Sequence, residues 1–269
     1  MTVCVITFNE ERNIKDCLES VVWTDEIVVV DSFSTDKTVE ICKKYTNRVF
    51  ERPWCGFLNQ KNFAISQASN DWILSIDADE RVSQPLKDEI IEELKGNKGV
   101  VGYYIPRHTY YLGRWINHGG WYPNYQLRLF RKDKGRWTGE QLHEKVTVCG
   151  KTKVLRGDFL HFTYQNLSDQ LKTIDHFSQV SAGIMKKRGV RVTPFHLILR
   201  PPIKFLETYI WKQGFRDGIP GLINAIAYSF YVFMRYAKTW EGEKNRKSGY
   251  ETDRQANLSQ TDSKTDKNL

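Results

Sequence analysis

Two aspartates, Asp77 and Asp79, stand one residue apart where the apolar run Trp72–Ile76 ends. If this run is a buried strand, both carboxylates emerge at its carboxyl end, where open α/β sheets place their ligands. Carboxylates this close repel each other, and a divalent cation or several hydrogen-bond donors would neutralise them. The pair therefore indicates a metal and nucleotide site, although a strand running into a solvated acidic turn has the same pattern. We assign the next residue, Glu80, to such a turn.

The elements that must position these acids are three further strands upstream. The apolar runs predict strands at Val3–Phe8, Glu26–Asp31 and Arg48–Glu51. Helix-sized segments separate the strands, and their predicted N-caps are Asn9 for the first helix and Ser34 or Thr35 for the second. Because parallel neighbours require crossover connections, the pattern predicts an α/β fold with a mostly parallel, doubly wound sheet flanked by helices.

Polar residues also close two of the upstream strands: Asn9 and Glu10 follow the first, and Asp31 ends the second. The carboxyl ends of parallel strands share one edge of the sheet, so we expect these residues beside Asp77 and Asp79. The chain contains neither G-x-G-x-x-G after the first strand nor G-x-x-x-x-G-K-[ST], which argues against nicotinamide-dinucleotide binding and P-loop hydrolysis. A nucleotide diphosphate would instead be held through a metal on Asp79.

The middle of the chain is crowded with aromatic residues. Predicted strands cover Val100–Pro106, Tyr110–Ile116 and Tyr125–Arg131. Trp115, Trp121 and Tyr125 are candidates for a sugar-binding surface, because the CH-rich faces of sugars stack on aromatic rings. Rings of the hydrophobic core would follow the same pattern, and the sequence leaves both interpretations open.

Glutamate and histidine side chains come together in the segments that follow. Glu144 follows His143 in an irregular stretch that also holds Glu140, and a glutamate in this setting is a candidate general base. His143 is a weaker candidate for binding the acceptor. His161 is a candidate metal ligand or orienting donor. A surface salt link or a helix cap is the alternative for the Glu–His pair.

The C-terminal third is predicted to be helical. Leu167–Lys187 is amphipathic and ends in basic residues before Gly189, a predicted C-cap. The 17 residues 218–234 carry no charge but are short for a membrane span, which needs about 20 apolar residues. Helices lying in the membrane interface, anchored by basic and aromatic residues, fit better; packing on the catalytic domain or at a homo-oligomer interface is the alternative. From Glu241 onward the polar composition predicts disorder.

Composition limits the possible partners and compartments. The chain has 40 basic and 32 acidic side chains among 269 residues, and the net charge of +8 favours an anionic partner such as nucleotide, phospholipid or nucleic acid. Five scattered cysteines without a Cys-x-x-Cys pair indicate a reducing, cytosolic compartment without structural zinc. The apolar N-terminal strand lacks a charged leader, so we expect no signal peptide. We divide the chain into a catalytic domain (1–165, with a nucleotide-sugar half to about 98), a helical region (166–240) and a tail (241–269).

Several motifs in this chain match a known family in order and spacing. They are Thr7-Phe8-Asn9-Glu10, Asp31 with Ser34-Thr35-Asp36, Gln60-Lys61-Asn62, Asp77-Ala78-Asp79 and His143-Glu144. With them the chain resembles glycosyltransferase family 2, over residues 1 to about 240. Within this family it is similar to the lipopolysaccharide core β-1,4-glucosyltransferases of Gram-negative bacteria. The resemblance implies the Rossmann-like GT-A fold, to which the C-terminal helices would be a membrane-associating appendage.

The resemblance also implies roles for individual residues. Thr7, Asn9 and Glu10 would line the nucleoside pocket, Asp31 would accept hydrogen bonds from uracil, Lys61 would lie near the nucleotide, Asp77 would face the ribose and Asp79 the metal. The family's base often lies in a Glu-Asp pair, which this chain lacks there. Glu144 is our substitute, with Glu140 in reserve.

The activity implied is inverting transfer of a hexose with Mg²⁺ or Mn²⁺ as cofactor. The donor would be a UDP-sugar, most simply UDP-glucose, and the acceptor a lipid-linked saccharide such as the inner core of lipopolysaccharide. We expect a cytoplasmic protein, peripheral on the anionic inner face of the bacterial inner membrane, without a nucleic-acid partner. The alternatives are a family 2 transferase acting on polyprenyl phosphate or another glycan, and a non-catalytic basic adaptor that binds membranes or nucleic acid.

Overall fold

The structure is a computed structural model that describes residues 1–96, 99–139, 144–164 and 166–247. Its first part contains β1 (Thr2–Thr7), α1 (Ile14–Glu19), β2 (Glu26–Asp31), α2 (Thr38–Cys42), β3 (Val49–Glu51), α3 (Phe57–Gln67) and β4 (Trp72–Asp77). β1 pairs in parallel with β2 and with β4, and β2 pairs in parallel with β3. The predicted parallel unit of four strands is therefore confirmed.

The following segment extends this unit into a mixed sheet. It contains β5 (Glu80–Val82), α4 (Gln84–Lys95), β6 (Val100–Tyr111), β7 (Arg114–Ile116), β8 (Asn124–Arg131), β9 (Gly135–Thr138), β10 (Lys145–Val148), β11 (Lys151–Val154) and β12 (Phe159–Phe162). The main path of the sheet is β3-β2-β1-β4-β8-β6-β12-β5, and β8 is antiparallel to both β4 and β6. β8 thereby brings residues from the middle of the chain beside the strand that ends in the two aspartates.

Hydrophobic clusters cover both faces of the sheet, which explains why β1 and β2 are apolar throughout rather than alternating. Val3 and Val5 pack on one face with Ile14 of α1. Cys4 points to the other face and packs with Ala64 of α3. Both helices therefore fix the sheet from opposite sides and hold its carboxyl edge in place.

The C-terminal region is helical, as predicted. It contains α5 (Leu167–Lys187), α6 (Pro194–Ile198), α7 (Arg200–Leu206), a π-helical turn (Glu207–Trp211), a 3-10 turn (Gly214–Asp217) and α8 (Gly218–Lys247). α5 has the predicted bounds: the Asn166 side chain accepts the N–H of Asp169, and Gly189 follows the helix with a φ of +68°. Within the described residues, no helix is long and apolar enough to cross a membrane.

The boundary that we predicted at Glu241 is wrong, because α8 continues through this polar sequence to Lys247. Tertiary contacts support this end of the helix: the carboxylate of Glu243 accepts the N–H of Val192, and Lys238 pairs with Asp175 of α5 at 2.7 Å. Polar composition alone misses such contacts. The rest of the predicted disordered tail, 248–269, lies outside the described residues.

The predicted caps of the first two helices are also wrong. Asn9 has a left-handed φ of 54°, and its side-chain oxygen accepts the N–H of Thr35 at 2.8 Å instead of capping α1. Ser34 does not cap α2 either: its hydroxyl accepts the N–H of Asn9 and donates to the carboxylate of Asp31. The same polar groups that would cap a helix locally here join the loops after β1 and β2.

Candidate active site

The predicted gathering of strand ends is present. Thr7 is the register partner of Asp31 across β1 and β2, and Ile6 is the partner of Asp77 across β1 and β4. The ends of β1, β2 and β4 thus lie side by side, in the order that a nucleotide site at this edge of the sheet requires.

The nucleoside corner contains Thr7, Asn9 and Asp31. Asp31 is completely buried, and its carboxylate accepts both the N–H and the hydroxyl of Ser34. In this conformation Asp31 holds the loop in place, and its hydrogen bonds to uracil stay a prediction. Thr7 is almost completely buried and its hydroxyl has no hydrogen-bond partner among the described residues, whereas Asn9 is exposed beside it.

Glu10 follows β1 and is close enough to Asp79 for their charges to interact. Its backbone N–H donates to the Thr38 hydroxyl, and its carboxylate accepts a hydrogen bond from the amide of Asn13 at 2.9 Å. Burial raises the pKa of the Glu10 carboxyl, and the negative charge of Asp79 raises it further, while the Asn13 bond opposes the shift. A cation bound at Asp79 would reduce the repulsion that Glu10 experiences from this carboxylate.

Asp77 lies in a buried charge cluster. Its two carboxylate oxygens are 2.7 Å from Lys61 Nζ and 2.7 Å from Arg128 Nη2. Burial alone would raise the pKa of Asp77, but the charges of Arg128 and Lys61 outweigh it and hold that pKa well below its usual value. Burial lowers the pKa of Lys61, and the Asp77 charge opposes this. The cluster keeps Asp77 ionised and places two basic groups at the sheet edge.

Arg128 is a residue that sequence reasoning missed. The pairing of β6 with β8 shifts register between Tyr103, opposite Leu129, and Tyr104, opposite Leu127, so Arg128 occupies a β-bulge. Bulges near active sites redirect a side chain, and here the guanidinium points towards Asp77. Arg128 is 3% exposed, and its Nε and Nη1 atoms have no hydrogen-bond partner among the described residues. Two unpartnered donors on a buried cation are typical of a site that binds an anion.

Glu80 is not the solvated turn residue that we expected. It is completely buried, its carboxylate accepts the N–H of Asp77 at 3.0 Å, and it lies 3.6 Å from the guanidinium groups of both Arg107 and Arg128. The third acid of the motif therefore balances the buried arginines.

Trp137 forms one wall of the site. Its ring centroid lies 4.2 Å from Lys61 Nζ and 5.2 Å from Arg128 Cζ, and the ring is almost completely buried. Asn62, next to Lys61, holds this wall in place because its side-chain amide bonds both the N–H and the C=O of Trp137. Lys61 and Arg128 are thus packed on an aromatic face that restricts their movement.

Asp79 and His161, both predicted to bind a metal, come together. His161 Nε2 is 3.1 Å from Asp79 Oδ2, and His161 Nδ1 is 3.1 Å from the hydroxyl of Thr109. Strand pairing explains this contact: β12 lies between β5 and β6, with His161 opposite Glu80 on one side and Thr109 on the other. A second partner such as Thr109 fixes the orientation of a ligating histidine.

These two residues fit a divalent cation that a substrate completes. In the described ranges, no three His, Cys, Asp or Glu side chains lie close enough to form a metal site by themselves. Mg²⁺ is commonly held by one or two carboxylates together with substrate phosphates and water, so a partial protein site is what a diphosphate substrate would need. Asp79 would supply the carboxylate and His161 the neighbouring nitrogen.

A cleft of about 800 Å³ opens beside this cluster. Lys61, Asp77, Arg128 and Trp137 line one end of it, and Glu144, the candidate base, lines the same cleft. The alternative candidate Glu140 lies outside the described residues, and so does His143.

The three aromatic candidates for sugar binding lie in different surroundings. Trp121 lines the cleft. Trp115 instead packs with the rings of His108, Tyr110 and Phe162, and Tyr125 is exposed; among the described residues, the cleft lining includes neither. The sequence could not distinguish Trp115 and Tyr125 from Trp121, and the roles of all three in sugar binding stay predictions.

Replacing Arg128 tests whether the charge cluster also stabilises the fold. We expect Arg128→Leu to lower the free energy of unfolding by about 3–5 kcal/mol, because it leaves the partly buried Asp77 and the completely buried Glu80 without their shared counter-charge. The matched control is Arg131→Leu on the same strand, whose pairing with the exposed Asp133 is worth about 1 kcal/mol or less. Urea unfolding of both variants measures the difference, and equal losses would contradict the cluster's role.

Comparison with known proteins agrees with this geometry. The family model for glycosyl transferase family 2 matches residues 2–152. The chain is 32% identical over 248 residues to the lipopolysaccharide core biosynthesis glycosyltransferase LpsC of Rhizobium meliloti, covering 90% of this chain and 92% of LpsC. It is also 32% identical over 249 residues to an uncharacterized glycosyltransferase of Rickettsia typhi, covering 88% and 85% of the two chains. Among solved structures, residues 1–349 of S. aureus TarS in complex with UDP-GlcNAc align over 92% of this chain and 91% of that one, at 16% identity and a TM-score of 0.47. The chain is a glycosyltransferase and belongs to glycosyltransferase family 2.

Proposed function

We propose that this enzyme transfers a hexose, most simply glucose from UDP-glucose, to a lipid-linked saccharide such as the inner core of lipopolysaccharide, with inversion at the anomeric carbon. The observation that carries the proposal is the single cleft in which the basic pair Lys61 and Arg128 and the candidate base Glu144 lie together. The relative LpsC supports the class of acceptor, because its name places it in lipopolysaccharide core biosynthesis.

The donor's diphosphate would bind at the basic end of the cleft. Lys61 and the unpartnered Nε and Nη1 of Arg128 provide charge-assisted hydrogen bonds for phosphate oxygens. Both oxygens of Asp77 are already bonded, but a carboxylate oxygen has two lone pairs, so Asp77 can still accept a hydroxyl of the ribose. Thr7, Asn9 and Glu10 would border the nucleoside, as the resemblance implies.

Asp79 and His161 would hold the cation, Mg²⁺ or Mn²⁺. When bound, a divalent ion stabilises the negative charge that grows on a departing diphosphate. The carboxylate of Asp79 is partly exposed and His161 is oriented by Thr109, so the protein presents its two ligands in a fixed arrangement before the donor arrives.

Glu144 would act as the general base. Its carboxylate removes the proton from the acceptor hydroxyl while the hydroxyl oxygen forms a bond to the anomeric carbon. The bond between that carbon and the diphosphate oxygen breaks at the same time, and the electron pair remains on the diphosphate. One displacement inverts the anomeric centre, so no covalent sugar–enzyme intermediate is required.

Release of UDP across a panel of UDP-sugars tests the proposal. We expect release to require UDP-glucose, a truncated lipopolysaccharide acceptor and Mg²⁺ or Mn²⁺ together. Release that instead requires polyprenyl phosphate, or another glycan, would support the alternative acceptors within the family. The family assignment removes the earlier alternative of a non-catalytic adaptor.

The C-terminal helices would hold the enzyme peripherally on an anionic membrane at the cytoplasmic face. Large apolar side chains on this surface are strongly exposed: Phe195, Ile198, Ile203, Leu206, Ile210, Trp211, Phe215 and Ile219. The same stretch, 194–219, holds four lysines and arginines against two acidic residues. An apolar surface with an excess of basic residues is complementary to an interface of anionic lipids.

Trp211→Ser tests this membrane proposal, because Trp211 is 86% exposed at the π-helical turn. We expect its binding to phosphatidylglycerol vesicles to weaken by about tenfold, the effect of losing one large apolar side chain from the interface. Val22→Ser is the control, since Val22 is exposed on the catalytic domain, between α1 and β2. If Trp211→Ser leaves vesicle binding unchanged and instead dissociates a dimer in light scattering, the surface is an oligomer interface.

A further inference from the structure

The cleft continues well beyond the residues assigned to the donor. Its far part lies between α5 and α8, where Asn224, Tyr228, Tyr231 and Arg235 line it. These residues are spaced three, four or seven apart, so they form one stripe along α8. The eleven residue steps from Asn224 to Arg235 correspond to about 16 Å along the helix axis. The cleft is therefore long enough for an extended acceptor.

One end of this stripe lies beside the loop that carries Trp121. A Cβ atom added to Gly119 would lie 3.5 Å from Asn224 Nδ2, and Asn224 is almost completely buried with an unpartnered Oδ1. Arg235 lies three helical turns further along the cleft and makes its described contacts with residues of α8 itself. The position of Arg235 thus separates it from the residues that would bind the donor.

Arg235 makes its described contacts with tyrosine side chains rather than with a carboxylate. Its Nη2 donates to the Tyr236 hydroxyl at 3.3 Å, and its Cζ lies 4.9 Å from the Tyr236 ring centroid and 5.9 Å from that of Tyr231. Its Nε is buried without a partner, and no carboxylate of the described residues pairs with it. One turn further, Lys238 has such a partner in Asp175 at 2.7 Å.

A partly buried guanidinium with an unused donor costs free energy unless an anion binds it. Packing on two tyrosine rings fixes the orientation of its planar fork, which suits two parallel hydrogen bonds to a phosphoryl group. Tyr228 and Tyr231 line the same wall, and aromatic faces stack on sugar rings. The chemistry of this end of the cleft thus matches a phosphorylated sugar.

We propose that Arg235, with Tyr228 and Tyr231, forms an acceptor subsite that binds a phosphoryl group carried by the acceptor saccharide. This inference rests on the proposed function, because it adds a chemical requirement to the acceptor that Glu144 would deprotonate. The subsite selects acceptors and fixes their register along the cleft, whereas the basic pair Lys61 and Arg128 serves the donor.

Binding of glucose 6-phosphate and of glucose, with UDP present in excess to occupy the donor end, tests the subsite. We expect calorimetry or ligand-observed NMR to detect glucose 6-phosphate but not glucose at the same concentration. Arg235→Gln should weaken glucose 6-phosphate binding by about tenfold or more. Arg156→Gln, which removes an exposed arginine outside the cleft lining, should leave it unchanged.

Further variants and measurements distinguish the possible outcomes. Arg235→Lys keeps the charge but not the fork, so we expect an intermediate loss even if Arg235→Gln folds poorly. Unchanged binding in a folded Arg235 variant would overturn the proposal. Loss of binding to phosphatidylglycerol vesicles without loss of glucose 6-phosphate binding would also overturn it, in favour of a lipid headgroup. UDP binding must remain normal in each variant, and binding of glucose 6-phosphate by an enzyme that releases no UDP would reject the proposed function alone.

Discussion

Asp79→Ala is expected to abolish sugar transfer, lowering UDP release by about 10³-fold or more. The reason is that Asp79 supplies the carboxylate of the proposed cation site, and charge stabilisation by a bound cation is worth several kcal/mol in the transition state. Initial rates of UDP release with saturating donor and acceptor, measured across a titration of Mn²⁺, give the effect. The control is Asp88→Ala, which removes an exposed carboxylate on α4 that accepts a hydrogen bond from the Gln84 side chain.

The titration also distinguishes the two ligands. His161→Ala keeps the carboxylate, so we expect a 10- to 100-fold rise, as an order of magnitude, in the Mn²⁺ concentration for half-maximal activity, with recovery in excess metal. Asp79→Ala should not recover in this way. Full activity of Asp79→Ala, or activity that is indifferent to a chelator in the wild-type enzyme, would contradict the cation site.

The sequence predicted correctly which strand ends lie side by side at one edge of the sheet. Thr7, Asp31 and Asp77 align because a parallel sheet places successive strand ends at one edge, and this follows from the order of strands alone. The contact between Asp79 and His161 bridges 82 residues; residue type alone made His161 a candidate metal ligand, and strand order did not predict the contact. The spacing of apolar residues therefore predicts which strand ends form the edge of the sheet. It does not predict which residues from distant parts of the chain lie at that edge.

Arg128 shows why the sequence did not predict the other residues of the site. Its place beside Asp77 depends on β8 inserting antiparallel next to β4 and on a bulge that redirects one side chain. Neither feature has a signature in the residues around Arg128, which resemble any apolar strand with an occasional charge. The error at Asn9 has a similar origin, because its side chain bonds the distant Thr35 instead of the adjacent helix.

Glu144→Gln is expected to remove transfer while leaving donor binding intact. The substitution keeps the size of the side chain but removes its ability to accept the proton of the acceptor hydroxyl, a contribution worth about 10²- to 10⁴-fold in rate. UDP release measures the rate, and calorimetry with UDP-glucose measures donor binding. Because Glu144 lines the cleft beside Lys61, Asp77 and Arg128, a change in donor affinity would indicate a role in binding instead.

Glu140→Gln is the paired variant, since Glu140 is the other carboxylate of the same segment and lies outside the described residues. If Glu144 is the base, Glu140→Gln should keep most of the wild-type rate, and the two substitutions together should cost no more than Glu144→Gln alone. Normal turnover by Glu144→Gln with a large loss in Glu140→Gln would transfer the role to Glu140. Since a base acts only on the acceptor hydroxyl, the loss in the responsible variant should fall on kcat with little change in the KM for UDP-glucose, whereas a residue that binds the donor would raise that KM.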